Sequence, residues 1–346
     1  MNVRVVPASD LVPPELARWS ELQRANPIYR SPFFRPEFVT AVARVRDVRV
    51  AVIEDAGRVA GFFPFEVGHR RSGQPIAWPH SDYHGPVLDE AFALDPRALV
   101  RACGLASWSF DHLPAQLTAF VPYVFGRGRS PCLDLSDGFD GYLASRRARS
   151  DVRDTLRKTR KLAREVGPVR LDPESNASDL FARLLEWKRL QYAETGVRDV
   201  LADAGSRELL GVLHATRGVE FGGALSVLYA GDVVVALHFG LRSGSVEHSW
   251  YPAYNRELRR YSPGLILLLE LARAAPALGV REIDFGKGDA RYKEAFSTES
   301  LPLYEGCVGA RALSALPVRI RTSARRALRR TGVHRAARRA LHRIRR

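Results

Sequence analysis

Cysteine is scarce. Cys103, Cys132 and Cys307 are the whole complement in 346 residues; they lie far apart and form no CxxC pair. An odd, sparse set argues against a disulfide framework and against a zinc site, and it fits a reducing, cytoplasmic compartment. Long apolar runs are missing too: the longest, Gly264 to Leu269, is too short to span a bilayer. The opening residues, MNVRVVPASDLVPPEL, contain no uninterrupted apolar h-region, so no secretory signal is expected. One stretch lacks acidic residues altogether. Pro317 to Arg346 holds 12 Arg, no Lys and no Asp or Glu. Those arginines supply +12 of the formal net charge of +15 and leave +3 for residues 1–316. Basicity therefore belongs to the C-terminal end, and the charge of the whole chain is no argument that the body binds nucleic acid.

Several signatures are absent. There is no GxxxxGK[ST] phosphate loop and no GxGxxG opening a helix after a strand. Asp284-Phe285-Gly286 stands without an HRD-type loop or a VAIK lysine upstream, which excludes a kinase. What remains is 46% hydrophobic and 26% charged, enough for a packed core, in a length that suits about two domains.

The pattern reads as alternating α and β. Val48–Val67 predicts a hairpin turning at Asp55–Arg58, and 225–241 predicts another turning at Ala230-Gly231-Asp232. "AVIEDAGRVAGFFPFEV" and "SVLYAGDVVVALHFGL" align with one gap, which suggests a duplicated unit. A helix is expected from Asp95 to Ser107, and a long basic helix from Gly138 to Val166, stopped by Gly167-Pro168. Helices follow over 176–196 and 206–216, and then a three-strand antiparallel meander over 222–251. A helix over 263–275 and a strand over 282–285 complete a mixed-sheet α/β unit.

The mouth of the 263–275 helix draws notice. Ser262 can cap it, Pro263 loses no needed N–H, and Gly264 leaves room for a close approach. With Leu265 and Ile266 it offers backbone N–H groups at the positive end of a helix dipole, a ready anion site. Ser-Pro-Gly is common at helix starts, and by composition alone an ordinary well-capped core helix is the better reading.

The ordered set "RSPFFRPEF", "DYHGPVLDE", "SRRARSDVRDTLRKTRKLAREVG", "LLEWKRLQYAETG", "SPGLILL" and "DFGKGDARYKEAF" resembles one branch of the GNAT acyltransferase superfamily. That branch is the one associated with cellulose and exopolysaccharide biosynthesis, distantly similar to the Fem-type aminoacyl transferases. The resemblance covers about residues 25–305. It implies tandem GNAT-like domains, each a mixed, mostly antiparallel sheet flanked by helices, with acetyl-CoA or another acyl-CoA used in the second. The chain divides on this reading into a degenerate first domain (1–137), a basic connecting helix (138–168), an acyltransferase domain (169–313) and a basic helical tail (314–346). The pyrophosphate of the cofactor falls to Arg259, Arg260, Ser262, Gly264 and Leu265. "RELRRYSPG" departs from the usual Arg/Gln and Gly-rich run, having only one glycine, so the arginines and the helix-end amides carry more of that task.

Direct acyl transfer needs a polarised carbonyl, a base for the acceptor and an acid for the leaving thiol. The resemblance puts the polarising N–H near Ser249–Tyr251. His238, Glu247 and His248 are the candidate bases on the meander, where core or surface roles are also open to each. Asp284 ends the last strand of that unit, Tyr292 beyond it offers a phenol for the thiolate, and Lys293 offers a charge for an acceptor or phosphate. In the first half, His80, Asp82, Tyr83 and His84 sit close together. Their spacing is not HExxH and the segment is rich in turns, so Asp82, Tyr83 and His84 are read as a substrate-cleft loop and no metal is expected. The arginine-rich tail has apolar residues at helical spacing, a pattern suited to an anionic membrane surface at the inner face, to nucleic acid or an acidic polymer, or to plain solvation. The function implied is transfer of an acyl group, acetyl foremost, to an amine or hydroxyl of a sugar or envelope precursor. The alternatives are a Fem-like enzyme using aminoacyl-tRNA, the one case in which nucleic acid is a partner, and a scaffold without turnover.

Overall fold

The computed structural model describes residues 1–146 and 149–311. The tail expected at 314–346 lies outside the described residues. The chain opens with strand β1 (Asn2–Pro7), helices α1 (Pro13–Ala25) and α2 (Pro36–Ala43), and the hairpin of β2 (Val48–Asp55) and β3 (Arg58–Val67). Short strands β4 (Ser72–Gln74) and β5 (Val87–Leu88) follow, then helix α3 (Pro96–Ala102) and the longer strands β6 (Ser107–Pro114) and β7 (Val124–Asp134). Helices α4 (Gly138–Arg146) and α5 (Ser150–Glu165) lead into the second half. That half repeats the opening plan with β8 (Val169–Ser175), α6 (Ser178–Thr195), α7 (Ala204–Ala215), and the meander β9 (Phe221–Ala230), β10 (Val233–Ser243) and β11 (Val246–Tyr254). Helix α8 (Pro263–Ala274), strand β12 (Glu282–Asp284), helix α9 (Arg291–Phe296) and strand β13 (Glu299–Gly309) end it.

The strands form one 13-stranded sheet in the order β1-β2-β3-β4-β6-β13-β7-β12-β11-β10-β9-β8, with β5 beside β3. Pairing is antiparallel except for β4 with β6 and β11 with β12. The two aligned hairpins occupy matching places: β1 lies on β2 and β2 on β3, as β8 lies on β9 and β9 on β10. The first hairpin turns through Ala56 and Gly57, both left-handed (φ 47° and 75°), the backbone that a two-residue turn between twisted strands requires. The chain's last strand, β13, does not stay with its own half. It inserts between β6 and β7, antiparallel to both.

The single long helix expected over 138–166 is two helices. Arg149 is extended (φ −68°, ψ 128°), and α5 starts afresh at Ser150. The apolar positions of both, Phe139 and Tyr142 on α4 and Val152 and Leu162 on α5, pack into the same cluster around α8, and the break lets each helix lie against it. A larger cluster runs from Trp19, Phe62 and Trp108 in the first half to Leu184, Leu225 and Phe239 in the second, so the two halves share a core. Among the described residues no helix is long and apolar enough to cross a membrane.

Candidate functional site

β11 and β12 run side by side only briefly. Val246, Glu247 and His248 pair with Glu282, Ile283 and Asp284, and there β12 ends. β11 continues to Tyr254, and from Ser249 onward its edge on that side has no strand partner among the described residues. On its other edge, Gly240 stands opposite Ser249 and Phe239 opposite Tyr251, so Trp250 is an extra residue that bends the strand. The parting opens a cleft of about 480 Å3, lined among others by Lys188, His238, Ser249, Gly264, Phe285 and Tyr292. This is the neighbourhood in which the sequence resemblance puts the carbonyl-polarising amide.

Helix α8 points its N-terminus into this cleft, with Arg259, Ser262, Gly264 and Leu265 on the wall. Ser262 does not cap the helix as expected. It is left-handed (φ 58°), and its hydroxyl accepts from Lys158 Nζ of α5 at 2.9 Å. Its carbonyl accepts from the Leu265 and Ile266 amides at 3.0 and 3.2 Å. Those two amides, expected to be free, are therefore occupied, and Pro263 has none. Of the first-turn amides only that of Gly264 is left without a partner among the described residues. A Cβ on Gly264 would approach nothing nearer than Tyr254 Cδ1 at 4.0 Å, so there is open space beside that residue on the cleft wall.

A line of polar groups reaches the cleft from behind. His238 Nε2 is 3.0 Å from Ser249 Oγ, and its Nδ1 is 3.7 Å from Glu247 Oε1. Arg242 Nε donates to the other Glu247 oxygen at 2.7 Å and fixes that carboxylate. Burial pushes the His238 imidazole down to about 4, so it is neutral at physiological pH. On the opposite wall Lys188 Nζ donates to the Pro252 carbonyl at 3.0 Å and to Gln191 at 3.2 Å, and burial pushes its amine down to about 8. Tyr292 packs on Phe285 with ring centroids 6.4 Å apart, 38% exposed, its phenol raised by burial.

Asp284 and His248 fall elsewhere. They sit beneath the cleft in a buried network joined to the first half. His248 Nε2 donates to Asp82 Oδ2 at 3.1 Å, while its Nδ1 faces Asp284 Oδ2 at 3.8 Å, an ion-pair distance without a hydrogen bond. Burial opposes charge on this ring, but Asp284 and Asp82 outweigh it and lift its pKa to about 9. His248 is thus a held cation, unsuited to take a proton. Asp284 accepts from Ser130 Oγ at 2.5 Å, from the Gly286 amide at 2.8 Å and from the Tyr83 hydroxyl. Against the effect of burial, His248 and these donors hold it below its ordinary value. Gly286 is left-handed (φ 70°), and a Cβ there would stand 2.5 Å from Asp82 Oδ2, so only glycine lets the loop close over the Asp82–His248 pair.

The expected residues therefore separate. His238, Tyr292, Arg259, Ser262, Gly264 and Leu265 line the cleft. Asp82, Tyr83, His248 and Asp284 form the network beneath it. His84 lies deeper in the first half, hydrogen-bonded to Ser81. Arg260 turns away to the Tyr261 hydroxyl at 2.7 Å. Lys293 staples the loop after β12, donating to the Gly286 and Lys287 carbonyls at 2.9 and 3.2 Å. Lys188, Ser130, Asp111 and His112 were not anticipated. Only Lys188 had a local signal, since it and Gln191 share a helix face inside "LLEWKRLQYAETG".

Residues 150–294 match the family model described as Acetyltransferase (GNAT) domain, a span that includes both walls of the cleft. No curated protein matches the sequence. The fold is similar to that of FemX, at 11% identity and TM-score 0.58, over 89% of this chain and 96% of that one. It is similar to L-PGS from Bacillus licheniformis, at 13% identity and TM-score 0.53, over 91% and 96%. A tandem GNAT protein from the clavulanic acid biosynthesis pathway is similar at 12% identity and TM-score 0.50, over 90% and 99%. At these identities the likeness is one of fold. The mixed α/β architecture of GNAT type expected from the sequence is what the molecule has.

Proposed function

We propose that the chain is an acyltransferase that takes an acyl group, acetyl foremost, from acyl-CoA and passes it to an amine or hydroxyl. The acceptor class is a sugar or envelope precursor, as the sequence resemblance implies. The observation that carries the reading is the coincidence, in one cleft, of the parted β11–β12 edge, the Gly264 amide at a helix mouth and the neutral His238 behind Ser249. The cofactor pyrophosphate would lie at Gly264 with Arg259, at the positive end of α8. Its thioester would then reach the free edge of β11, where backbone N–H groups can hold the developing oxyanion. The acceptor attacks the thioester carbonyl. Its proton passes through the Ser249 hydroxyl to the neutral His238 ring, whose Nε2 lies 3.0 Å from Ser249 Oγ. Collapse of the tetrahedral intermediate breaks the C–S bond, and Tyr292 gives its phenolic proton to the thiolate.

A second donor class is favoured by one observation. α5 lies against the helix mouth through Lys158 and Ser262, and exposes Arg153, Arg157, Arg160 and Arg164. A basic helix beside a donor site suits the phosphates of an aminoacyl-tRNA. The deciding experiment incubates the full chain with acetyl-CoA and a panel of amino sugars and sugars and follows free thiol. Acceptor-dependent thiol release supports acyl-CoA. Transfer that requires aminoacyl-tRNA and stops on ribonuclease treatment supports the second donor. Consumption of neither overturns both and leaves a scaffold.

A further inference from the structure

A second cluster of reactive side chains lies in the first half, away from the cleft. One ligand atom from each of His84, Asp111 and His112 lies within 4.8 Å of the other two. Asp111 Oδ1 is 3.3 Å from His84 Nδ1 and 2.9 Å from His112 Nδ1. The tautomers follow from what holds the far side of each ring. His84 Nε2 faces the Ser81 carbonyl at 3.0 Å and the Ser81 hydroxyl at 3.3 Å, and that hydroxyl gives its own proton to the Ile76 carbonyl at 2.5 Å. Both neighbours are acceptors, so Nε2 carries the hydrogen and Nδ1 presents a lone pair. His112 Nε2 likewise faces the Asp82 carboxylate at 3.1 Å. Two imidazole nitrogens and a carboxylate oxygen thus converge, and the hydrogen bond between His112 Nδ1 and Asp111 Oδ1 leaves His84 Nδ1 unsatisfied. Among the described residues that atom has no hydrogen-bond partner, although the His84 side chain is only 2% exposed.

We propose that His84 Nδ1, His112 Nδ1 and Asp111 Oδ1 bind a divalent transition-metal ion of the zinc class. Metal–ligand bonds of 2.0–2.2 Å in a tetrahedron put neighbouring ligand atoms roughly 3.3 Å apart, close to the 3.3 and 2.9 Å that separate Asp111 Oδ1 from the two rings. Each ring is oriented from outside by an oxygen acceptor, the second-shell arrangement that fixes metal-binding imidazoles. The backbone is set as well: the His84 amide donates to the His112 carbonyl at 3.0 Å and pins the Ser81–His84 loop to β6. Three protein ligands leave a fourth position, and Asp111, 38% exposed, gives an ion a way in. Lys287 faces the cluster, donating to the Asp111 carbonyl at 2.5 Å, and Glu305, 4.0 Å from its amine, offsets that charge. The other comparable group, Cys132, Glu282 and Asp284, does not qualify. Arg30 occupies Glu282, three donors occupy Asp284, and burial keeps the Cys132 thiol protonated.

The rival occupant of the point is a proton on His112 Nδ1, shared with Asp111. The experiment strips the full-length protein with a chelator, removes the chelator and titrates with Co(II) at pH 7.5, reading visible d–d absorption, then with Zn(II) in competition. The same titration is run on Asp111→Asn and His84→Gln, each checked for folding by circular dichroism. Wild type should bind about one equivalent that Zn(II) displaces, and loss of a ligand should weaken binding by roughly tenfold or more. If His84→Gln does not fold, Asp111→Asn, altered at a half-exposed side chain, decides alone. Absence of a Co(II) spectrum in wild type, or equal binding by wild type and Asp111→Asn, assigns the point to the proton and overturns the metal. Neither readout depends on transferase activity.

Discussion

Asp82 Oδ2 accepts a hydrogen bond from His248 Nε2 at 3.1 Å, and so a loop of the first half holds a strand of the second from beneath the cleft. His248 is 1% exposed and Asp82 23%, so the pair is largely shielded from water. Removing one partner of a buried ion pair leaves the other charge uncompensated, and the loss is large. Asp82→Asn, which also releases His112 Nε2 at 3.1 Å, should lower the free energy of unfolding by about 3 kcal/mol, tempered by the Asp284 carboxylate that still faces the His248 ring. Urea unfolding measures it, and a change under about 1 kcal/mol would show that the pair does not hold the halves together.

The same network sets a pH window. His248 is raised from 6.5 to about 9, so its contribution is complete below 6.5 and fades as pH rises toward 9. Asp82 and Asp284 are depressed from 3.8, so theirs is complete above that value and is lost on acidification through their lower folded pKa values. The melting temperature should fall between pH 6.5 and 9 in wild type and fall less in His248→Gln. Parallel profiles for the two proteins would mean that another group governs the alkaline limb.

Gly264→Glu should abolish CoA binding without unfolding α8. The position has ordinary helical backbone and open space in front of it, so the new side chain fits but sets bulk and negative charge where the pyrophosphate would lie. Calorimetry should show acetyl-CoA affinity reduced at least roughly 100-fold at unchanged helicity. Unaltered affinity would place the cofactor elsewhere.

Ser249→Ala and Tyr292→Phe test the proton path. Each removes one hydroxyl and little volume. With a responsive acceptor, kcat should fall by about 10²-fold while KM changes by less than about threefold, because proton transfer matters in the transition state. Wild-type turnover by both variants would remove these two residues from the chemistry.

Much of this was legible in local signals. Ser262-Pro263-Gly264 announced the helix mouth, and the paired hairpins announced the repeated plan, because both are written within a few residues. The meander also put His238 and Ser249 on adjacent strands, though their contact depends on the bulge at Trp250, which no periodicity marks. His248 was misplaced as a base because its character is set by Asp82, 166 residues away. Lys158 took the Ser262 hydroxyl across 104 residues, which a reading of the capping sequence alone could not register. Burial and distant partners, rather than residue type, separated the cleft residues from the network beneath them.

The position of β13 bears on how the molecule is made. A chain emerging from the ribosome delivers β6 and β7 early, yet the strand that belongs between them is Glu299–Gly309, almost the last of the described segment to appear. Domains commonly fold in order as they emerge. Here β6 lacks β13, and β7 lacks both β13 and β12, throughout synthesis of the second half, and such edges readily recruit a neighbouring chain. Completion of the early half therefore waits for β13. A nascent chain arrested before residue 299 carries all of the cleft residues but an open sheet, making it a natural client for chaperones.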